Sequence, residues 1–408
     1  MNSRKSPRRS LSPLRRMAAL CVGVGASVIA CDQVTSKPLQ HEAYVWQRVW
    51  SPAVTQAMKQ SRPFLVGWHV LLAETTAQGN WREFSPSIWS PDHEGKSLTA
   101  VVRVDGQRRL GDVNSLVGRL MRVIQAQPLI QWSGLEIDYD CPISSLDAYT
   151  AFVRQVRRIM PPGMRLSVTA LPTWISSGSI KSLLDAADES VLQVHSVLDP
   201  HRGLFDAHLA SDWLAAYSTL TKKPFKVALP DYGSRVRWDS SGRLVSIVSE
   251  QSTPQDIPDQ REILAKVRDV DEFLANLRAG HARNLVGIVW FRLRIAGDQR
   301  IWSLSTLESV VRGQPIVDRR VLRVERDQFG AYRIELTNDG SIDAPLPSVV
   351  RSGPCLAADG LAGYFVVHTA GDLSFVRRDA SIIRAGQRVG VGWTRCAVRQ
   401  EDLRLEDD

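Results

Sequence analysis

Residues 131–142 read Gln131-Trp132-Ser133-Gly134-Leu135-Glu136-Ile137-Asp138-Tyr139-Asp140-Cys141-Pro142. Glu136, Asp138 and Asp140 alternate with Leu135, Ile137 and Tyr139. Side chains two apart in a strand share a face, so three carboxyls point one way and three apolar groups the other. The run is short and bounded by Gly134 and Pro142. It fits a strand whose outer face is covered by helices, leaving the acids toward an enclosed interior. Carboxyls roughly 7 Å apart along one strand cannot all ionise cheaply there. Such a row serves proton transfer, a cation or a polar ligand.

Working outward, the same kind of strand recurs. Apolar runs at 43–47, 64–72, 98–105, 134–140, 165–171, 191–197, 225–231 and 286–293 make eight candidate strands. Helical periodicity fills 51–60, 112–125, 146–159, 179–187, 206–221 and 269–279 between them. Pro161-Pro162-Gly163 ends one helix and Gly280 another. Eight such units over 43–315 predict an α/β fold, a (β/α)8 TIM barrel. No Gly-rich phosphate loop follows the first strand, which disfavours an open doubly wound sheet. An insert at 234–261 reads as a hairpin after the seventh strand. From 316 to 408 the runs are short and alternating, with Asn338-Asp339-Gly340 and similar punctuation. This predicts a small all-β, sandwich-like second domain.

Functional groups of a barrel gather at the C-terminal ends of its strands. There the chain offers Arg103 and Asp105, then Glu136, Asp138 and Asp140. It also offers Gln193 and His195, Asp231 and Tyr232, and Trp290 and Arg292. So many polar groups exceed what a barrel interior of Val, Ile and Leu needs. A self-paired structural network, a packed His195 and a packed Trp290 are the bland alternatives. Neither a metal site nor a cofactor is implied, since no Cys or His pair has ligand spacing.

Ser133-Gly134-Leu135-Glu136-Ile137-Asp138-Tyr139-Asp140 resembles the Asp-Gly-x-Asp-x-Asp-x-Glu motif of chitinase-type family-18 glycoside hydrolases, which lies on the fourth strand of a TIM barrel. The segment 226–233, Lys-Val-Ala-Leu-Pro-Asp-Tyr-Gly, resembles that superfamily's seventh strand, and Gly287-Ile288-Val289-Trp290 its eighth. Gly134 and Asp138 match the motif, Ser133 and Glu136 replace aspartates, and Asp140 stands where the family has its acid Glu. The resemblance implies that Asp140 protonates the leaving oxygen, with Glu136 and Asp138 beside it as catalytic partners. It further implies that Asp138 orients a substrate N-acetyl group and that Trp290 floors the sugar. Arg103, Asp105, His195, Asp231, Tyr232 and Arg292 would then contact substrate, and Asp105 or Asp231 would act as base if water attacks directly. Four longer stretches, at 137–142, 168–174, 192–195 and 224–230, resemble domain-of-unknown-function family 3142, bacterial barrels that are often lipoprotein-like.

The first 30 residues read as a lipoprotein signal peptide. Six basic residues precede an apolar stretch at 17–29 too short to span a bilayer, and Val28-Ile29-Ala30-Cys31 resembles a lipobox. Lipid on Cys31 would anchor the body, through a linker at 31–42, to a membrane of the bacterial cell envelope, facing the periplasm. The net charge of +8 becomes +2 once the six leader cations are removed, so the body carries no footprint for nucleic acid. Cys355 and Cys396 are candidates for a disulfide in an oxidising compartment, the alternative being buried thiols alongside Cys141. Three functions compete on these residues. One is a glycoside hydrolase acting on an extracytoplasmic polysaccharide. Another is a non-catalytic glycan-binding barrel, and the third a structural envelope lipoprotein.

Overall fold

The structure is a computed structural model. It describes residues 38–86, 95–111, 113–195, 203–239, 241, 243–248, 260–280, 282–298, 300–369, 372–377 and 381–406. The leader at 1–30, the lipidation candidate Cys31, and parts of the insert and of the predicted sixth strand lie outside them. Among the described residues no helix is long and apolar enough to cross a membrane.

Eight parallel strands close into a barrel. They are β1 (Gln40–Val45), β2 (Gly67–Thr75), β4 (Ser97–Val104), β5 (Gly134–Tyr139), β6 (Arg165–Ala170), β7 (Glu189–Gln193), β8 (Phe225–Pro230) and β12 (Leu285–Phe291). Each pairs with its neighbour, and β1 pairs with both β12 and β2, which completes the ring. A short strand, β3 (Trp81–Glu83), hairpins back on β2. The predicted barrel is present, beginning at Gln40 rather than residue 43.

The alternation seen in 134–140 explains how the ring is filled. Leu135, Ile137 and Tyr139 join a large outer core with Val70, Leu72, Val102, Val168 and Leu192. Helices Val113–Gln125 and Leu146–Ile159 bring Leu120, Val123, Tyr149 and Phe152 onto that core. The odd residues of β5 are therefore spent on helix packing, and its even residues face the interior. A helix the sequence reading missed, Leu304–Val311, completes the ring. It is capped by Ser303, whose side chain accepts from the Thr306 N–H; at eight residues it is too short to show clear periodicity.

The insert after β8 is a three-stranded antiparallel sheet, not a simple hairpin. It comprises β9 (Gly233–Trp238), β10 (Leu244–Val248) and β11 (Gln260–Leu264), with β9 central.

The C-terminal region holds two four-stranded antiparallel sheets and a two-stranded ribbon. One sheet contains β13 (Arg320–Arg326) and β14 (Tyr332–Asn338), with β17 (Ala358–Gly360) and β21 (Arg388–Thr394). The other contains β16 (Val349–Ser352), β18 (Tyr364–Thr369), β19 (Asp372–Arg377) and β22 (Arg404–Glu406). The ribbon pairs β15 (Ala344–Pro345) with β20 (Ile382–Ile383). Ile334, Leu336 and Val391 from the first sheet share one core with Val350, Leu373 and Phe375 from the second, which makes a sandwich. Cys355 and Cys396 are disulfide-bonded, and Cys141 is a free, buried thiol. Asp343 and Arg384 of the sandwich are hydrogen-bonded to each other and to the barrel at Ser303 and Ile301.

Candidate active site at the barrel mouth

The interior of the barrel is polar at two depths. The deeper layer was not foreseen. Lys226 Nζ lies 2.5 Å from Glu42 Oε2 and 3.5 Å from Glu189 Oε1. Glu42 lies 3.2 Å from His69 Nε2, and His69 Nδ1 lies 3.0 Å from Glu136 Oε2. Tyr44 donates to Glu136 Oε1 at 2.7 Å and Ser167 to its Oε2 at 3.3 Å. All of these residues are buried. An imidazole with a carboxylate on each nitrogen is satisfied only as the doubly protonated cation. Burial alone would depress His69, but Glu136 and Glu42 outweigh it and lift the ring to about 9.

This network corrects the role expected for Glu136. It is fully enclosed and its oxygens are committed to Tyr44, His69 and Ser167, so it serves the barrel interior and does not meet substrate.

The upper layer is the mouth. Arg103 on β4 and Asp138 on β5 are register partners, with Arg103 Nε 3.9 Å from Asp138 Oδ2. Asp138 Oδ1 accepts from Thr169 Oγ1 at 2.9 Å and from Gln193 Nε2 at 3.2 Å. Those bonds fix the carboxyl in place. Burial, then the charge of Asp140, push Asp138 up to about 7, against the pull of Arg103. Asp140, just beyond the strand, is exposed at the rim. The protein packed around its carboxyl raises it too, and Arg103 opposes the rise. Asp138 and Asp140 thus form a pair of acids with enhanced hold on a proton.

Loop packing sets the position of Asp140. A Cβ placed on Gly106 would meet the Asp140 carbonyl oxygen at 2.3 Å and its carbonyl carbon at 3.0 Å. Both are backbone atoms, which cannot swing aside, so only glycine lets the loop after β4 press against the end of β5. Gly106→Ala is expected to shift Asp140 and lower any turnover about tenfold to a hundredfold, because reacting groups tolerate little misplacement. Paired kinetics and a thermal melt would check this; unchanged kinetics would show that the loop yields instead.

The remaining predicted residues divide. His195 is buried at the end of β7, stacked on Phe291 and 3.3 Å from the Tyr232 hydroxyl, and its Nε2 has no partner among the described residues. Burial lowers it to about 4, so it stays neutral at ordinary pH. Arg292 lies 3.7 Å from Asp298. Asp105 is taken up by its own turn, where Oδ1 accepts from the Gln107 N–H. Asp231 is wholly enclosed, with no hydrogen-bond partner for either side-chain oxygen among the described residues, and burial raises it well above the ordinary carboxylate range against the pull of Arg292.

Trp290 does not face the mouth. It belongs to the outer core, where its indole N–H bonds His41 Nδ1 at 3.2 Å and its ring lies beside Trp302. Period-two alternation gives the inward place to Phe291, which packs with Tyr44, Trp46 and His195. Among the described residues no group of His, Cys, Asp and Glu is arranged to hold a metal ion.

No curated protein matches the chain in sequence. Three solved structures are similar to it at low identity. The spore cortex-lytic enzyme SleL of Bacillus cereus has 13% identity and a TM-score of 0.49, covering 69% of this chain and 76% of its own. A chitinase of Chromobacterium violaceum has 14% identity and a TM-score of 0.47, covering 67% and 98%. A chitinase of Bacteroides thetaiotaomicron has 12% identity and a TM-score of 0.47, covering 63% and 90%. Residues 321–397, within the sandwich, match a Domain of unknown function (DUF8456). Residues 94–296, spanning β4 through β12 and hence both acids of the mouth, match another, and through this barrel segment the chain belongs to the family described as Domain of unknown function (DUF3142).

Proposed function

We propose that the barrel mouth hydrolyses glycosidic bonds of a polysaccharide outside the cytoplasm, with Asp140 as proton donor and Asp138 as its fixed partner. The observation that carries this reading is the acid pair itself. One carboxyl is pinned by Thr169 and Gln193 and the other is exposed at the rim, both with a strengthened hold on a proton. Glycoside hydrolysis asks for that combination of a protonated acid and a second, positioned carboxyl. Asp140 gives its proton to the leaving oxygen as the glycosidic C–O bond breaks. Asp138 steadies the group that then bonds the anomeric carbon, whether the sugar's own amide or water.

The leader motif ending at Cys31 supports attachment to an envelope membrane by lipid. The Cys355–Cys396 disulfide accords with an oxidising compartment.

A second reading is a glycan-binding barrel without turnover. It is favoured by the outward Trp290 and by the shorter reach of an aspartate at position 140.

The deciding experiment is release of reducing ends from a panel of N-acetylhexosamine polymers and other envelope glycans by the chain and its Asp140→Asn variant. The hydrolase reading expects release by the parent and a loss of about 10²-fold or more in the variant. Binding by both proteins with cleavage by neither would establish the second reading.

A further inference from the structure

Three arginines around the mouth differ in how their hydrogen-bonding capacity is used. Arg48 closes its fork on Glu74, with Nε 3.0 Å from both carboxylate oxygens and Nη2 2.8 Å from Oε2. Arg103 and Arg292 make no hydrogen bond to the described residues. The nearest acid oxygen to Arg103 is on Asp138, at 3.9 Å, with Asp140 also within its electrostatic reach; the nearest to Arg292 is on Asp298, at 3.7 Å, with Asp231 within reach. Both separations exceed a hydrogen bond.

The reason lies in the acids, which are held elsewhere. Asp138 Oδ1 is taken by Thr169 and Gln193, and Asp298 Oδ2 accepts from the Ile295 N–H at 3.0 Å. Neither carboxylate turns to meet its guanidinium in the paired geometry that Glu74 adopts.

These are not loose surface side chains. Arg103 projects from inside the ring, its side chain 39% exposed, and Arg292 follows the last strand with a side chain only 9% exposed. A planar five-donor group held in a sheltered place with its donors unspent is suited to receive a carboxylate in bidentate fashion. Sugar hydroxyls satisfy such a group less well, since charge-assisted bonds are about twice as strong as neutral ones.

We propose that the ligand of the mouth is an anionic glycan, one bearing carboxylates along its chain, and that Arg103 and Arg292 are its specificity-determining residues. The inference rests on the glycan reading above and adds the substrate class. Attraction between these guanidiniums and a polyanion also makes binding sensitive to salt.

Calorimetric titration of the Asp140→Asn chain, which separates binding from cleavage, provides the test. The probes are hexuronic-acid oligosaccharides, neutral N-acetylhexosamine oligosaccharides and phosphorylated oligosaccharides of equal length. The expected result is at least tenfold tighter binding of the carboxylated oligomer than of either other probe, weakening in 0.5 M salt. Adding Arg103→Met or Arg292→Met should cost about tenfold each, with Arg103→Lys restoring only part. Circular dichroism melts identify any variant that fails to fold, and the lysine variant keeps the comparison open in that event. Equal or tighter binding of the neutral oligomer, indifferent to Arg103→Met, overturns the proposal while leaving the glycan reading intact. Preference for the phosphorylated probe overturns it as well. Binding of none of the probes removes both.

Discussion

Lys226→Met is expected to destabilise the barrel by about 3–5 kcal/mol, the usual cost of removing one partner from a buried ion pair. Methionine keeps most of the side-chain volume, so the loss is one of charge and not of packing. The ammonium it removes lies 2.5 Å from Glu42 and 3.5 Å from Glu189, and all three groups are nearly inaccessible to water. Without it, among the described residues Glu42 keeps His69, which also serves Glu136, and Glu189 keeps the exposed Arg165 at 3.8 Å, at the start of β6. Two buried carboxylates would then be undercompensated, and they would take up protons or water. The same network sets a window of pH stability. Burial opposes ionisation of His69, but its two carboxylates raise it from 6.5 to about 9. Its contribution is therefore complete below the unfolded value and lost as the pH rises through about 9. Burial likewise opposes ionisation of Glu42, but His69 and Lys226 hold it below its ordinary 4.5. That contribution is complete above 4.5 and lost only as the pH falls well below it. Urea unfolding at pH 5, 7 and 10 should show stability falling as the pH rises, first because the raised carboxyls Asp138 and Asp231 ionise more readily in the unfolded chain and then as His69 loses its proton through about 9. A Lys226→Met penalty under about 1 kcal/mol at pH 7 would mean that the interior is hydrated and the pairs weak.

The two layers of the barrel were unequally legible in the sequence, and the reason is how strand phase is encoded. In β5 every inward residue is acidic or glycine and every outward one is apolar, so the phase is unmistakable and Asp138 could be placed from the sequence. In β12 Val289 and Phe291 face in while Ile288 and Trp290 face out. Both faces are apolar, alternation gives no phase, and only the partner strand decides that Phe291 and not Trp290 meets the mouth. The deeper network had a signal that was passed over. His69 and Lys226 are single polar residues inside otherwise apolar runs, and Glu42 ends the polar start of β1, one on each of three strands. Charges of both signs on inward positions of separate strands can pair with one another when the strands close into a ring, as they do here. Asp231 reads as a site residue by type and position, yet it is sealed from solvent. Burial of one carboxyl at a strand end depends on the turns that follow it, and local spacing carries no record of those turns.

Asp138→Asn is expected to lower kcat/KM for glycan hydrolysis by about 10²–10⁴-fold, the range for loss of a positioned acid–base partner. It is also expected to move the pH profile. Asparagine can still accept from Thr169 and Gln193, so the geometry at the end of β5 is preserved and the change is chiefly electrostatic. In the parent, each carboxyl is raised by burial, and Asp138 rises further through the charge of Asp140. Interaction between two charges is mutual, so Asp138 in its ionised form strengthens the hold of Asp140 on its proton. Hydrolysis needs Asp140 protonated, and parent activity therefore falls on the alkaline side as the raised pair gives up its protons. With a neutral residue at 138 that support disappears while burial and Arg103 remain, so Asp140 releases its proton at lower pH than in the parent. The alkaline limb of the variant should shift toward acid, in addition to the loss of rate. Kinetics of both proteins between pH 4 and 9 read the two effects separately. A reduced rate with an unmoved limb would show that Asp138 only positions substrate and has no electrostatic hold on the acid. An unchanged rate would place the chemistry elsewhere in the mouth. The coupling is expected because Asp138 is next to last in β5 and Asp140 follows two positions on, and Arg103 acts on both. A proton shared across that pair is the cheapest way to bring a second acid so close to the first in a half-enclosed site.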